Sequence, residues 1–216
     1  MLGGVELIPH ISGALFVPDH ETLIISDLHL EQGSSLARRG LHVPPFDTAV
    51  TLDLLETTLG ITKAKRLIFL GDSFHDAQGE ERLAEMHLTR LRLIVQSYET
   101  LWISGNHDPH PPQSLGGQGA ETIALGPLTL RHEPAKHLNT EVEIAGHLHP
   151  GCSISQRGRH IRGKCFIADQ TRLIMPAFGA YTGGLSIRSN AFEGLFDSEQ
   201  TKIWMIGKSR LHRFSY

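Results

Sequence analysis

Five short blocks place acid, amide and imidazole side chains where they could do metal chemistry. They are Asp27-Leu28-His29, Gly71-Asp72, Gly105-Asn106-His107-Asp108, His132 and Gly146-His147-Leu148-His149. Their donor atoms are oxygens and nitrogens, the set that suits Mn, Fe or Zn. The last block is the most suggestive alone. Side chains at i and i+2 of a strand point the same way, so a strand end, or the loop beyond it, can aim His147 and His149 at one place. A two-histidine fragment also arises by chance, and any block taken singly is weak: each can be a structural turn or a satisfied core histidine, the better reading for His132 alone, and only the five together favour ligands. The chain holds 14 histidines, and neutral imidazole is the commonest metal ligand. They are dispersed, so their neighbours must decide.

The elements that must position these blocks are visible in the hydrophobic pattern. ETLIISD (21–27), KRLIFLGD (65–72) and TLWISGN (100–106) read as buried strands. Between them, Asp47 is placed to cap a helix carrying Leu52, Leu55 and Leu59. A second helix is expected over Glu80–Tyr98, with Ala84, Leu88, Leu91 and Val95 along one face. This β-α-β-α-β order predicts parallel strands joined by right-handed crossovers. Their carboxyl ends, where open α/β sheets gather their sites, would then carry the first three polar blocks. The second half is different: TIAL, LTLRH, EVEIAGH, Cys165–Asp169, TRLIMP, GLSIRS and KIWMIG are short β-rich segments separated by turn residues. The expected fold is α/β, a β-sandwich of two mixed sheets flanked by helices, in a single domain over residues 1–216. PHPPQSLGGQG (109–119) is the clearest loop.

The composition, 40% hydrophobic and 20% charged over 216 residues, is that of an ordinary globular protein with a sizeable core. No apolar run approaches the ~18 residues of a membrane span. The N-terminus MLGGVELIPH lacks the basic and apolar regions of a secretory signal, so a cytoplasmic protein with no membrane partner is expected. Cys152 and Cys165 are read as two reduced, packed thiols, with a hairpin disulfide as the alternative. Charge is uneven. Residues 1–150 carry 10 Lys/Arg against 19 Asp/Glu, a balance of −9, and residues 151–216 carry 10 against 4, a balance of +6. An acidic part suited to cations thus precedes a basic part suited to phosphate, unlike a uniformly basic nucleic-acid binder.

In order over residues 27–149, the five blocks resemble the calcineurin-like metallophosphoesterases. The resemblance implies that superfamily's fold and two divalent metal ions, Mn by first choice with Fe or Zn as alternatives. It assigns Asp27, His29 and His149 to one metal and Asn106, His132 and His147 to the other, with Asp72 bridging. It further implies a hydroxide between the metals as the nucleophile for in-line attack on phosphorus. His107 would assist the leaving oxygen or stabilise the transition state, and Asp108 would orient that imidazole from behind. Glu133-Pro134 departs from the pattern, standing where a glycine often follows the histidine. Gly71, Gly105 and Gly146 are read as sharp strand exits. His75, in GDSFHD, is read equally as a substrate or outer contact and as a loop-closing hydrogen bond.

SDLHLEQGSSLARRG, VPPFDT, GDSFHD, GHLHP and MPAFGAYTGGL, spanning Ser26 to Leu185, resemble a narrower branch, the bacterial ligase-associated DNA damage response endonucleases. This implies a metal-dependent phosphodiesterase acting on DNA, with DNA repair proteins as partners. Arg38-Arg39 and the stretch QRGRHIRGK (156–164), with Arg157 and Arg159, are candidate contacts to a phosphate backbone. Taken singly, each arginine reads better as part of a solvated turn. No interleaved aromatic pattern proposes base stacking. The alternatives are a phosphomonoesterase with the same metal core, a UDP-diacylglucosamine hydrolase-like pyrophosphatase, and a non-catalytic scaffold like the retromer subunit of this fold. The pyrophosphatase needs an acyl-chain cavity for which no insertion is evident, and the presence of His107 and every expected ligand disfavours the scaffold. Oligomeric state is left open.

Overall fold

The computed structural model describes residues 1–156 and 158–216, and of residues 156 and 159 the backbone alone. In the first half, β1 (Ile8–Pro9) and β2 (Leu15–Val17) precede β3 (Thr22–Ile25), α1 (Gln32–Arg38), α2 (Asp47–Ile61) and β4 (Arg66–Leu70). These are followed by α3 (Gly79–Arg82), α4 (Glu85–Ser97), β5 (Glu99–Ile103) and β6 (Gln118–Ala120). The six strands form one sheet in chain order. Strands β3 to β6 run parallel, as the alternation of strand and helix predicts, and β1 and β2 add an antiparallel edge.

The central strands carry apolar runs, interrupted only at their first residues, because both faces are covered. In β4, Leu67 and Phe69 pack under the helices with Leu52 and Leu55 of α2 and Leu91 and Val95 of α4. The alternate residues Ile68 and Leu70 face the other sheet. That sheet is built from β7 (Thr122–Leu125), β8 (Leu128–Arg131), β9 (Val142–Ala145), β10 (Pro150–Gln156), β11 (Arg159–Ala168), β12 (Arg172–Ile174) and β13 (Leu185–Ser186). Its order is β13-β10-β11-β12-β9-β8-β7, with β14 (Lys202–Ile206) pairing β11 and β15 (Leu211–Ser215) pairing β14. Strands β8, β9 and β12 are parallel neighbours, so this sheet too is mixed. Leu130, Ile144, Phe166 and Met175 close the inter-sheet core against Ile24, Ile68 and Ile103.

The expected α/β sandwich is therefore present, with the α-helices among the described residues on the first sheet and a short 3-10 turn, Asn190–Phe192, on the second. The outer face of the second sheet is covered by Ile187 and Phe192, packed over Ala145, Cys165, Ile167 and Ile174. Cys152 and Cys165 are both free and buried there.

Two local expectations change. The helix over Glu80–Tyr98 is broken at Leu83 and Ala84, both in extended backbone (ψ 127 and 141). Leu83 turns inward to join Phe74 in the core, which leaves Ala84 exposed and off the apolar face. Asp47 is the first residue of α2 and does not precede it. Its carboxylate instead accepts the Gly33 N–H (2.9 Å) and so caps the neighbouring α1.

Lys164, on β11, ties the second sheet to the loops of the first. Its ammonium donates to the carbonyls of Ala177 and Gly179 (2.8 and 2.7 Å) and to Thr182 Oγ1 (3.1 Å). The same segment donates Phe178 N–H to Ser26 O and Gly179 N–H to Asp27 O. Burial lowers the Lys164 pKa to about 8, against the opposing pull of Asp27. Although it falls in the basic stretch, Lys164 is thus turned inward. Replacing it (Lys164→Met) leaves the buried Ala177 carbonyl without its side-chain donor and the Gly179 carbonyl with the Thr182 hydroxyl alone, at a cost of about 2 kcal/mol. The expected fall in Tm, read by thermal denaturation, is about 4–8 °C.

Candidate metal centre

The chain leaves its strands abruptly where the five blocks lie. Asp27, His29, Asp72, His147 and His149 all take left-handed backbone conformations, with φ of 54, 45, 47, 66 and 44°. That conformation costs an L-residue roughly 1–2 kcal/mol, and it persists where surrounding bonds over-determine it. Here the loops bond one another: Asp27 N to Gly71 O (3.2 Å), His29 N to Asp72 O (2.9 Å) and Gly146 N to His132 O (2.9 Å). They also pass too closely for side chains. A Cβ on Gly146 would lie 1.9 Å from Ser26 Oγ, and one on Gly105 2.2 Å from the Asp72 nitrogen.

The left-handed turns also correct the simple strand geometry expected for His147 and His149. Both lie beyond β9, and they serve neighbouring groups, not one place. In the first group, His149 Nε2 is 3.0 Å from Asp27 Oδ1 and 3.3 Å from His29 Nε2. In the second, His132 Nε2 is 3.1 Å from Asn106 Oδ1, 3.3 Å from Asp72 Oδ2 and 3.3 Å from His147 Nδ1. Asp72 Oδ2 lies between them, 3.7 Å from His29 Nε2 on the other side. Asp27–His29–His149 and Asp72–His132–His147 are each compact enough to hold an ion.

The donor set fits such ions on its own chemistry. Asp27 Oδ1 is buried without a hydrogen-bond partner, although His149 Nε2 is close by. Two imidazole nitrogens facing each other at 3.3 Å can share only one proton, whereas both can bind a cation. Separations near 3 Å are those of neighbouring ligands ~2 Å from a common ion. His132 Nδ1 donates to the Leu70 carbonyl (2.9 Å), which leaves Nε2 as the atom that faces the second group.

Burial and charge explain the acid–base state. Burial alone would raise the Asp72 carboxyl, but the His132 hydrogen bond and charge, the His107 N–H and His29 together hold it at about 2. Burial opposes a proton on His132, yet the bond to Asp72 and the charges of Asp27 and Asp72 raise that imidazole to about 9. Burial lowers His29 to about 4. One proton, on His132, thus stands where the second group would hold positive charge.

Around these donors, His107 Nδ1 donates to the His75 carbonyl (2.7 Å), and its Nε2 lies 4.0 Å from Asp72 Oδ2. His107 is 39% exposed, open to an incoming ligand. The expected support from Asp108 is different. Its Oδ2 accepts the Ser73 and Phe74 N–H groups (2.8 and 3.0 Å), so it clamps the loop after Asp72, while a main-chain carbonyl orients His107. Burial raises Asp108 to about 7. His75 is brought into the site, its Nδ1 3.4 Å from His29 Nδ1 and its ring 5.3 Å from that of His107. Arg38 and Arg39 are exposed at the end of α1, and Arg39 is near enough to depress the His75 pKa, after burial and His107. Arg157 lies outside the described residues, as does the side chain of Arg159. Sequence reasoning missed the clamp by Asp108 and the carbonyl of His75, since main-chain donors and acceptors leave no residue-type signal.

Fold and site together are those of a metallophosphoesterase, a metal-dependent hydrolase of phosphate esters. Among solved structures, the chain is similar to the Pseudomonas putida nuclease MPE, with 27% identity and a TM-score of 0.72 over 97% of this chain and 100% of that one. A protein of unknown function from Aquifex aeolicus matches at 18% identity and TM-score 0.41, over 59% of this chain and 78% of that one. A predicted phosphoesterase from Streptococcus pneumoniae matches at 14% and 0.34, over 90% and 97%. No family model and no curated protein matches. No described helix is long and apolar enough to cross a membrane.

Two outcomes follow from this geometry. Because His132 keeps its proton up to about 9 in the metal-free protein, metal loading near neutral pH must expel it. Calorimetric titrations in buffers of different ionisation enthalpy should show proton release, with apparent affinity rising up to about tenfold per pH unit towards that value. Gly146→Ala forces apart the Ser26–Asp27 turn and should lower both metal content and activity, the latter at least about 100-fold.

Proposed function

We propose that the chain is a two-metal phosphodiesterase that cleaves nucleic acid, DNA by preference, in the cytoplasm and in association with DNA repair proteins. The observation that carries this reading is Asp72 Oδ2, shared between two donor groups, with the exposed His107 Nε2 4.0 Å away. Asp27, His29, His149 and Asp72 would hold one divalent ion, and Asp72, Asn106, His132 and His147 the other. Manganese is the proposed metal, with iron or zinc as alternatives for this oxygen and nitrogen set. When bound, two such ions lower the pKa of water and offset the charge on the phosphoryl oxygens.

The chain's own groups supply orientation and protons. Protonated His107, anchored through Nδ1–H to the His75 carbonyl, presents Nε2–H to the leaving oxygen. If His29 presents Nε2 to an ion, its remaining proton sits on Nδ1 and faces His75 Nδ1. That leaves the His75 Nε2–H free to bond a phosphoryl oxygen. The similarity to a nuclease over almost the whole chain supports a nucleic-acid substrate over a monoester or a lipid pyrophosphate.

Stripped protein with added Mn is expected to hydrolyse bis(p-nitrophenyl) phosphate faster than p-nitrophenyl phosphate, and to cleave an oligonucleotide. Monoester-only turnover would overturn the substrate class. His107→Ala should lower oligonucleotide kcat by about 10²–10⁴. Bis(p-nitrophenyl) phosphate should suffer much less, because a nitrophenolate leaves without needing a proton. Equal losses on both substrates would contradict the leaving-group role.

A further inference from the structure

Beside the site, the loop that joins α1 to α2 and the adjoining helix ends expose apolar and basic side chains. Leu41 and Phe46 are 60% and 61% exposed and Val50 49%, and none belongs to a core cluster. Arg38, Arg39 and His42 are exposed on the same stretch of chain, and no ion pair engages either arginine among the described residues. A cluster of this kind on the rim of a site marks an interaction surface.

The loop is held in place. Tyr181 donates its hydroxyl to the Pro44 carbonyl (2.6 Å), Phe46 N–H bonds Pro44 O (2.9 Å) and Leu41 N–H bonds Leu36 O (3.0 Å). The Asp47 carboxylate fixes its far end to Gly33 (2.9 Å), four residues beyond His29. Tyr181 belongs to the segment that donates Gly179 N–H to Asp27 O, and Arg39 lies within electrostatic reach of His75. The loop is therefore tied on both sides to the segments that carry Asp27 and His29. An exposed ring on a backbone-anchored loop that also carries two unpaired guanidiniums suits a ligand that offers phosphate and a flat apolar face together.

We propose that residues 38–46 form a subsite for the nucleotide next to the scissile phosphate, with its backbone on Arg38 and Arg39 and its base against Phe46. The inference rests on the nucleic-acid reading of the metal centre. A second copy of this chain fits the same surface poorly, since a two-fold contact would face four guanidiniums with no counter-charge. An apolar protein partner would leave both arginines unused.

The test compares oligonucleotide and bis(p-nitrophenyl) phosphate kinetics in Mn-loaded Phe46→Ala and Phe46→Trp enzymes. Phe46 is exposed, so both variants should fold. The ratio of oligonucleotide KM to small-diester KM should rise about tenfold in Phe46→Ala and return in Phe46→Trp. In Arg38→Gln/Arg39→Gln, the slope of log affinity against log salt for a single-stranded oligonucleotide should flatten by about 1.4, roughly 0.7 per lost phosphate contact. Wild-type cleavage of the oligonucleotide with an unchanged KM ratio in Phe46→Ala, or an unchanged salt slope, overturns the subsite alone. A wild type that turns over the small diester but neither binds nor cleaves the oligonucleotide overturns the subsite and the nucleic-acid reading together.

Discussion

Two carboxylates, Asp27 and Asp72, are almost wholly removed from solvent, 0% and 2% exposed, within one small region. Burying an unpaired charge is among the most expensive things a fold can do. Everything around them supplies compensating charge or donors. Ser26 Oγ–H and the His147 N–H are directed at Asp27, and the His107 N–H at Asp72. Imidazoles line the remaining side, and one of them, His132, carries a proton to about 9. That proton and a divalent cation are competing answers to the same electrostatic demand. The metal-free protein is thus already arranged around positive charge.

Meeting that demand requires strand ends from both sheets to approach more closely than ordinary side chains allow. The cost appears as left-handed backbone at five of the seven donors and as glycines with no room for a Cβ. What holds the strain is a set of polar anchors set back from the donors. Asp108 clamps the loop after Asp72 through two N–H groups, and Lys164 grips the segment that hydrogen-bonds Ser26 and Asp27. The sandwich brings these anchors from elements distant in the chain, so the site's geometry depends on the packing of sheet on sheet.

Much of this was legible from residue order. The central strands show apolar runs because both faces are covered, and each motif block follows such a run. The β-rich second half was recognised by its short segments, although β10 escaped because it follows directly on the His147–His149 turn. Side-chain destinations were less legible. Asp47 caps α1 and not its own helix, because the acceptor of its bond is set by helix packing. Asp108 binds backbone donors and not His107, and Lys164 points inward from a stretch that reads as a basic surface. The break at Leu83-Ala84 is hidden because a helical period describes that stretch well until the core draws Leu83 inward. In each case a tertiary partner, absent from local sequence, decides where a polar or apolar group turns.

The central claim is that Asp72 Oδ2 sits between two cations. Anomalous diffraction from crystals equilibrated with Mn tests it most directly. The account predicts two peaks about 3.5–4 Å apart, one beside Asp27, His29 and His149, the other beside Asn106, His132 and His147. A single peak, or two that do not share Asp72, would contradict it.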